Sequence, residues 1–265
     1  MRRWMSISLA ACLMMVCLPD AAWGAKGESA SWLDAGKLEK GLFGIVYEAA
    51  TATRTKLMVS KDGVNYTYDL AARGKEEFFP LQLDNGEYKI SILQQVTGTK
   101  YKLVHSETLE LELEDNSDVY LHSIQNVNWT EAETVKDMAL ELTNGKETER
   151  EKAEAIYAYI VDHIAYDDEL ATNVQNGYIP DLGQVLAYKK GICYDYASLF
   201  AAMNRSIGIP AKLLIGESKN VKKYHAWNEI LIDGEWLTID TTVDASTGNR
   251  NFEKNAGDYI ASKVY

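Results

Sequence analysis

The sequence predicts an α+β protein. A small antiparallel β-sandwich over residues 41–127 is followed by a mixed helical and β half over 128–265. Three observations predict this. Between Gly41 and Val127, short β-branched and aromatic runs alternate with polar residues and are separated by Asp62-Gly63 and Asn85-Gly86, the chemistry of tight hairpin turns. From Thr148 a helix-start signal opens a long amphipathic segment. Further on, a second apolar helix is followed by two strands around Asp233-Gly234.

Residues 1–24 read as a secretory signal rather than as part of the fold. Arg2 and Arg3 give a basic start, Ile7–Leu18 an apolar centre short for a membrane span, and Ala22-Trp23-Gly24 small residues around a cut near Ala25. The expected location is secreted or associated with the cell envelope. Leu9-Ala10-Ala11-Cys12 also fits a lipoprotein processing box, and anchoring at Cys12 is the minor alternative. No other stretch suits a transmembrane helix. Residues 25–40 form a short lead-in with helical leanings, in which Trp32 and Leu33 are the large apolar pair.

In the β half, Leu42–Tyr47, Thr55–Ser60, Val64–Tyr68, Phe78–Leu83, Tyr88–Leu93 and Leu109–Leu113 are the strand candidates. The last alternates leucine with glutamate, so one face should be buried and the other solvated. His105 and His122 lack ligand-like company, and Tyr66 with Tyr68 reads as one sheet face rather than a sugar platform.

The second half begins near Trp129. A helix over Ala132–Leu142 stops at Asn144-Gly145. Thr148 and Glu151 then form a capping box, and Ala153, Ile156, Tyr157, Ile160, Val161 and Ile164 make one apolar face. His163 falls off that stripe. Tyr166-Asp167-Asp168-Glu169 lacks the spaced ligands and turn glycine of a calcium loop. Residues 171–190 read as loop, with Val185-Leu186-Ala187 a short apolar turn. Cys193 opens the next helix, ended by Gly208-Ile209-Pro210. Strands follow over Ala211–Ile215, Tyr224–Ile232 and Glu235–Asp240, with Glu217–Lys223 a polar loop.

The full chain has 265 residues, 46% of them apolar and 25% charged, enough to bury a sizeable core. Its net charge of −12 argues against a nucleic-acid partner. Cysteine usage says more. Cys12 and Cys17 leave with the signal, so Cys193 remains alone, unable to form an internal disulfide and exposed to oxidation outside the cell. Such a thiol is either packed away or kept for its reactivity.

Three residues supply acyl-transfer chemistry. The first turn of a helix has unpaired N–H groups and partial positive charge, an environment that favours thiolate, the nucleophilic form. An imidazole in reach favours it further, and a carboxylate on the other ring nitrogen fixes the tautomer. Counting eight residues back from Asp233 and six on from Gly234 brings His225 beside Asp240, so the hairpin makes this pair neighbours. Cys193, His225 and Asp240 are therefore the candidate nucleophile, base and orienting group. The Cys193 N–H is one oxyanion donor, with Tyr166 and Gln184 as candidates for the second. Tyr194, Tyr224 and Trp227 are expected beside the substrate. One cysteine without clustered histidines or carboxylates disfavours a metal site, and no cofactor is implied.

Gly191-Ile192-Cys193-Tyr194-Asp195-Tyr196-Ala197, Gly208-Ile209-Pro210-Ala211, Gly216, His225-Ala226-Trp227-Asn228-Glu229 and Trp236-Leu237-Thr238-Ile239-Asp240 resemble the core of the bacterial transglutaminase-like superfamily. The resemblance covers roughly residues 146–245. It implies a papain/transglutaminase-like α+β core and does not extend to the β-sandwich domain before it, which is read from its own strands and turns. It also implies that Cys193 is the nucleophile, His225 the base and acid, and Asp240 the orienter. Where the family often has Asp-Pro-Thr-Trp, this chain has Asp240-Thr241-Thr242-Val243, which alters the loop beside the site.

The expected function is thiol-dependent acyl transfer on peptide or glutamine-type amides. The thioester is resolved by water in a peptidase or amidase, or by an amine in a transglutaminase, and the triad serves both. Protein or peptide substrates follow, with cell-wall peptides and envelope proteins suited to an exported chain. The alternative is a non-catalytic binding module on a transglutaminase-like scaffold.

Overall fold

A computed structural model describes residues 32–47, 53–70 and 76–265. The signal-like segment, its cleavage site and Cys12 lie outside the described residues. Among those residues no helix is long and apolar enough to cross a membrane.

Two antiparallel sheets build the first half. Strands β1 (Leu33–Asp34), β2 (Leu42–Ile45) and β5 (Glu77–Pro80) form one, in the order β1-β2-β5. Strands β3 (Thr55–Lys61), β4 (Val64–Leu70), β6 (Gly86–Thr97) and β7 (Lys100–Leu111) form the other, in the order β4-β3-β6-β7. Alternation explains the burial. Leu57 and Val59 of β3, Tyr66 and Tyr68 of β4, Tyr88, Ile90 and Ile92 of β6, and Leu109 and Leu111 of β7 are all buried, and they share one core with Phe43 and Phe79 from the smaller sheet. Glu110 and Glu112 face solvent. The lead-in departs from its helical expectation. Trp32 and Leu33 are buried in this core and β1 pairs with β2, so that among the described residues of the lead-in only Leu38–Lys40 is helical, as a 3-10 turn. The apolar pair is better satisfied by extending a sheet than by an isolated short helix.

The second half is organised around one buried helix. Its elements in order are α1 (Glu133–Thr143), α2 (Glu149–His163), β8 (Ala165–Tyr166), α3 (Asp168–Asn173), α4 (Leu182–Tyr188), β9 (Lys190–Gly191), α5 (Cys193–Ser206), β10 (Ala211–Ser218), β11 (Val221–Ile232), β12 (Glu235–Ile239), α6 (Thr241–Thr247) and β13 (Tyr259–Val264). Every residue of α5 from Asp195 to Arg205 is buried, the signature of a helix packed on all sides. One side meets β10 and β11; the others meet α1, α2, α4 and α6. The sheet order is β12-β11-β10-β13, all antiparallel. Thr148 caps α2 as its sequence requires: its hydroxyl accepts from Glu151 N–H at 3.2 Å, and Glu151 reaches back to Thr148 N–H at 3.0 Å.

Two stretches expected as loop are more ordered. Residues 171–190 contain the end of α3 and all of α4, whose cap is Asp181 accepting from Gln184 N–H at 3.1 Å. The polar stretch 217–223 is mostly strand, with β10 running to Ser218 and β11 starting at Val221. Polarity there reflects the solvent exposure of a sheet end, where the β10–β11 register shifts between Gly216 and Ser218.

The two halves are bolted together by polar contacts. Ser198 on α5 donates to the Asn126 carbonyl at 2.9 Å, and the neighbouring Gln125 ties that end of the first half back to the Asp69 carbonyl at 2.7 Å. Val264 N–H donates to the Tyr66 hydroxyl at 3.0 Å, and the Tyr265 ring meets Tyr66 and Tyr68 edge-on.

Candidate active site

Cys193 is the first residue of α5, with Ile192 as its N-cap in extended conformation. Ile192 carries no capping hydroxyl, so the cap comes from inside the helix. Asp195, fully buried, accepts Ile192 N–H at 2.8 Å through one oxygen and the Tyr178 hydroxyl at 2.7 Å through the other. Burial pushes the Asp195 carboxyl above its ordinary range, against the pull of those two donors. Cys193 itself is half-buried and its thiol is free.

The hairpin supplies the partners. Asp233 and Gly234 both have positive φ, 53° and 81°, which makes the two-residue turn whose twist suits paired strands and explains the Asp-Gly choice. The turn sets Asn228 against Ile239, and His225 and Asp240 then meet: His225 Nε2 lies 2.9 Å from Asp240 Oδ2. Both side chains are buried. Asp240 also caps α6, its Oδ1 accepting Val243 N–H at 3.0 Å.

With Nε2 held by Asp240, the other ring nitrogen is left for the thiol, and His225 does interact with Cys193. Burial alone pulls the imidazole down. Hydrogen bonds to Asp240 and Cys193, with their charges, outweigh it and carry His225 up to about 9. The ring therefore keeps its proton at neutral pH, with Asp240 on one side and Cys193 on the other.

The remaining expected residues divide. Tyr166 pairs with Gly191 across the short parallel β8–β9 contact and stands beside Cys193, partly exposed. Its phenol is raised by burial and by nearby negative groups, Cys193 first among them. Gln184 is not brought to the site. Its carboxamide donates to Asp181 at 2.7 Å and is spent on the cap of its own helix. Tyr194 is half-buried, accepts from Asn126 at 2.6 Å and packs edge-on to Tyr178. Tyr224 is exposed, one residue before His225, and strand alternation turns it to the other face. Trp227 departs from its expected place beside the substrate. It is buried, and its ring backs His225 with centroids 6.4 Å apart and planes 18° apart. Two residues apart on one strand share a face, which is why the indole backs the imidazole.

Sequence reasoning missed Tyr259 and Tyr178. The Tyr259 hydroxyl donates to Asp240 Oδ2 at 3.0 Å. Neither tyrosine lies in a recognisable motif, and each arrives through a distant segment. Among the described residues, no three His, Cys, Asp or Glu side chains gather as metal ligands.

Residues 136–241 match the family model of the transglutaminase-like superfamily, a span that contains Cys193, His225 and Asp240. The chain carries a transglutaminase-like domain. Human kyphoscoliosis peptidase is similar to this chain, 26% identical over 166 residues, 57% of this chain and 24% of that protein. Cytokinesis protein 3 of Saccharomyces cerevisiae is 27% identical over 124 residues, 42% of this chain and 14% of that protein. The chain thus spans a quarter or less of the length of these relatives. Among solved structures, a candidate cysteine protease from Cytophaga hutchinsonii aligns over 84% of this chain and 80% of its own, at 15% identity and a TM-score of 0.45. Red sea bream transglutaminase aligns over 76% of this chain and 48% of its own, at 13% identity and a TM-score of 0.33. The transglutaminase-like domain holds α5 and the β10–β12 strands, and antiparallel sheets precede it.

Proposed function

We propose that this chain is an exported thiol enzyme that cleaves or transfers the acyl group of amides in proteins or peptides. One observation carries the reading: buried Asp240 holds one nitrogen of buried His225 at 2.9 Å while the ring's other side meets the Cys193 thiol at a helix start. A thiol, an imidazole and a carboxylate in that order constitute a nucleophile, a proton carrier and its orienter.

In this reading the thiol proton already rests on His225, and the Cys193 thiolate attacks the amide carbon. Charge develops on the carbonyl oxygen, and the Cys193 N–H and the Tyr166 hydroxyl are the donors for it. The C–N bond then breaks as His225 returns its proton to the departing nitrogen, leaving a thioester. Neutral His225 next takes a proton from the incoming nucleophile. That nucleophile attacks the thioester, the C–S bond breaks, and the proton returns to the sulfur. Water as nucleophile gives hydrolysis, and a lysine-type amine gives transfer. The likeness to a relative named as a peptidase favours water. The signal-like residues 1–24 support an extracytoplasmic or envelope setting, with cell-wall peptides among the substrates.

The test is Cys193 alkylation by iodoacetamide against pH, on wild type and His225→Ala, followed by peptide-amide turnover with and without an added primary amine. The expected result is fast alkylation well below the free-thiol pKa of about 8.5, lost in the variant, and turnover abolished by Cys193→Ala. Alkylation that follows an ordinary thiol titration in both proteins, with no turnover of any peptide, overturns the reading and leaves a binding module on the same scaffold.

A further inference from the structure

Asp240 has more donors than a bare triad requires. Oδ1 is committed to the α6 cap through Val243 N–H. Oδ2 accepts from two side chains, His225 Nε2 at 2.9 Å and the Tyr259 hydroxyl at 3.0 Å. Tyr259 is itself braced. Its oxygen accepts from Asn220 Nδ2 at 3.2 Å, and its ring packs on Trp227 with centroids 5.1 Å apart. Trp227 in turn lies along His225. One tyrosine therefore touches the carboxylate directly and the imidazole through an indole.

The fold goes to some length to place it. Tyr259 lies on β13, opposite Ser218 in the register with β10. That pairing is irregular between Ile215 and Gly216, where β13 crowds in. A Cβ on Gly216 would lie 2.1 Å from the Ile260 carbonyl oxygen, so only glycine lets the strand seat this closely. Gly216 is also the β10 partner of His225. The residue opposite the histidine thus admits the strand that delivers the tyrosine.

We propose that Tyr259 is a positioning residue for the acyl-transfer site: its hydroxyl fixes Asp240 Oδ2 toward His225 and takes part of the carboxylate's charge. The inference rests on the function proposed above. Burial and the Asp240 charge push the Tyr259 phenol up, so it stays a neutral donor throughout the working pH range. The titratable groups facing His225 are Asp240, at the start of α6, and Cys193, on α5. Those bonded to Asp240 are His225 and Tyr259, while Asp244, one turn along α6, is occupied by Tyr157 and Lys254. With the tyrosine donor removed, Oδ2 becomes the stronger acceptor for the imidazolium, and His225 becomes the poorer acid toward the leaving nitrogen.

The test is Tyr259→Phe, which keeps the ring against Trp227 and removes only the hydroxyl, with Asn220→Ala as a second variant. The His225 ring is titrated by NMR in each folded protein, and kcat and KM are measured against pH. In Tyr259→Phe the His225 titration should move up by about 0.5–1 pH unit, a part of one hydrogen bond to a charged acceptor, because the lost bond acts on the ring only through the carboxylate. The alkaline limb of kcat should follow it, with kcat down severalfold and KM little changed. Asn220→Ala should move the titration the same way and by less. A folded Tyr259→Phe protein whose His225 titrates as in wild type overturns the proposal, because a packing role would leave the ring's acidity alone. The two readings fail separately: an unreactive wild-type thiol defeats the enzyme assignment, while the NMR titration still decides what Tyr259 does to Asp240 and His225.

Discussion

His225 and Asp240 sit diagonally across the β11–β12 hairpin rather than directly opposite one another. The register that pairs Asn228 with Ile239 puts Trp227, not His225, level with Asp240, and the imidazole reaches along the strand to the carboxylate. Diagonal neighbours on one face are within range of long side chains. The offset leaves the indole alongside the imidazole, where it restricts the ring's swing.

The carboxylate's two duties can be separated by one substitution. Asparagine is as good a helix N-cap as aspartate, so Asp240→Asn should keep the Val243 N–H bond and the stability of α6. It removes the charge that holds His225 protonated and permits the wrong tautomer. Turnover should fall by about 10²–10⁴-fold, with the urea unfolding midpoint changed little at pH 9.5, where the His225 proton no longer adds stability. A variant that loses stability in proportion to activity would assign Asp240 to the cap alone.

Stability should also report the pair. His225 is raised to about 9 in the folded chain, above the roughly 6.5 of an unfolded histidine. A raised basic group adds stability that is fully present below pH ~6.5 and lost as pH rises through about 9. The side chain is buried, so solvent does little to screen the effect, which is on the order of 3 kcal/mol. Urea unfolding of wild type and His225→Gln at pH 6 and pH 9.5 measures it. The wild-type protein should lose more stability than the variant over that interval, by about this amount. Equal losses would mean the folded imidazole has no special hold on its proton.

What could be read from the sequence was local. The capping box at Thr148 and Glu151 is four residues long, and the Asp233-Gly234 turn two, so each carries its own geometry. The hairpin then brought His225 to Asp240 across only 15 positions. Cys193 at a helix start was legible from the apolar spacing after it. Other features depend on partners that no local pattern names. Tyr259 reaches Asp240 because β13 pairs with β10, and Tyr178 reaches Asp195 because its loop folds back over the start of α5. Gln184 looked available until Asp181 claimed it. Trp32 and Leu33 are buried in the first core, Leu33 through β1, a consequence of packing rather than of their neighbours in sequence.

Asp195, the one carboxylate of α5, should be sensitive to substitution although it stands outside the proposed triad. It is fully buried and satisfies two donors, Ile192 N–H and the Tyr178 hydroxyl. Asp195→Ala strands both and should cost about 2–4 kcal/mol in chemical denaturation. Tyr178→Phe removes one partner and should cost about 1 kcal/mol. Because the two side chains share a hydrogen bond, their double mutant should cost less than the sum of the singles, by about 0.5–1 kcal/mol. Strict additivity would show that the 174–181 loop is held to α5 by something else.

Arg205 should be the clearest test of how the two halves hold together. Its guanidinium is buried and donates to three main-chain oxygens: Ala211 at 2.7 Å, His122 at 2.8 Å and Tyr265 at 2.8 Å. These belong to the segment after α5, the connection from the β half, and the residue following β13, whose ring meets Tyr66 and Tyr68. A planar fork with donors in fixed directions can serve all three at once, whereas a lysine ammonium is a single point on a flexible stem. Arg205→Lys keeps the charge and should still cost about 2–4 kcal/mol, since at least one buried carbonyl loses its donor. Arg205→Met removes the charge as well as the donors and should cost a similar amount, because the desolvation it relieves offsets part of the loss. Cleavage by a protease between residues 112 and 128 should rise in both variants, as the His122 connection loosens. Lysine restoring wild-type stability and protection would reduce the site to a requirement for positive charge, and the clamp geometry would have no part in joining the halves.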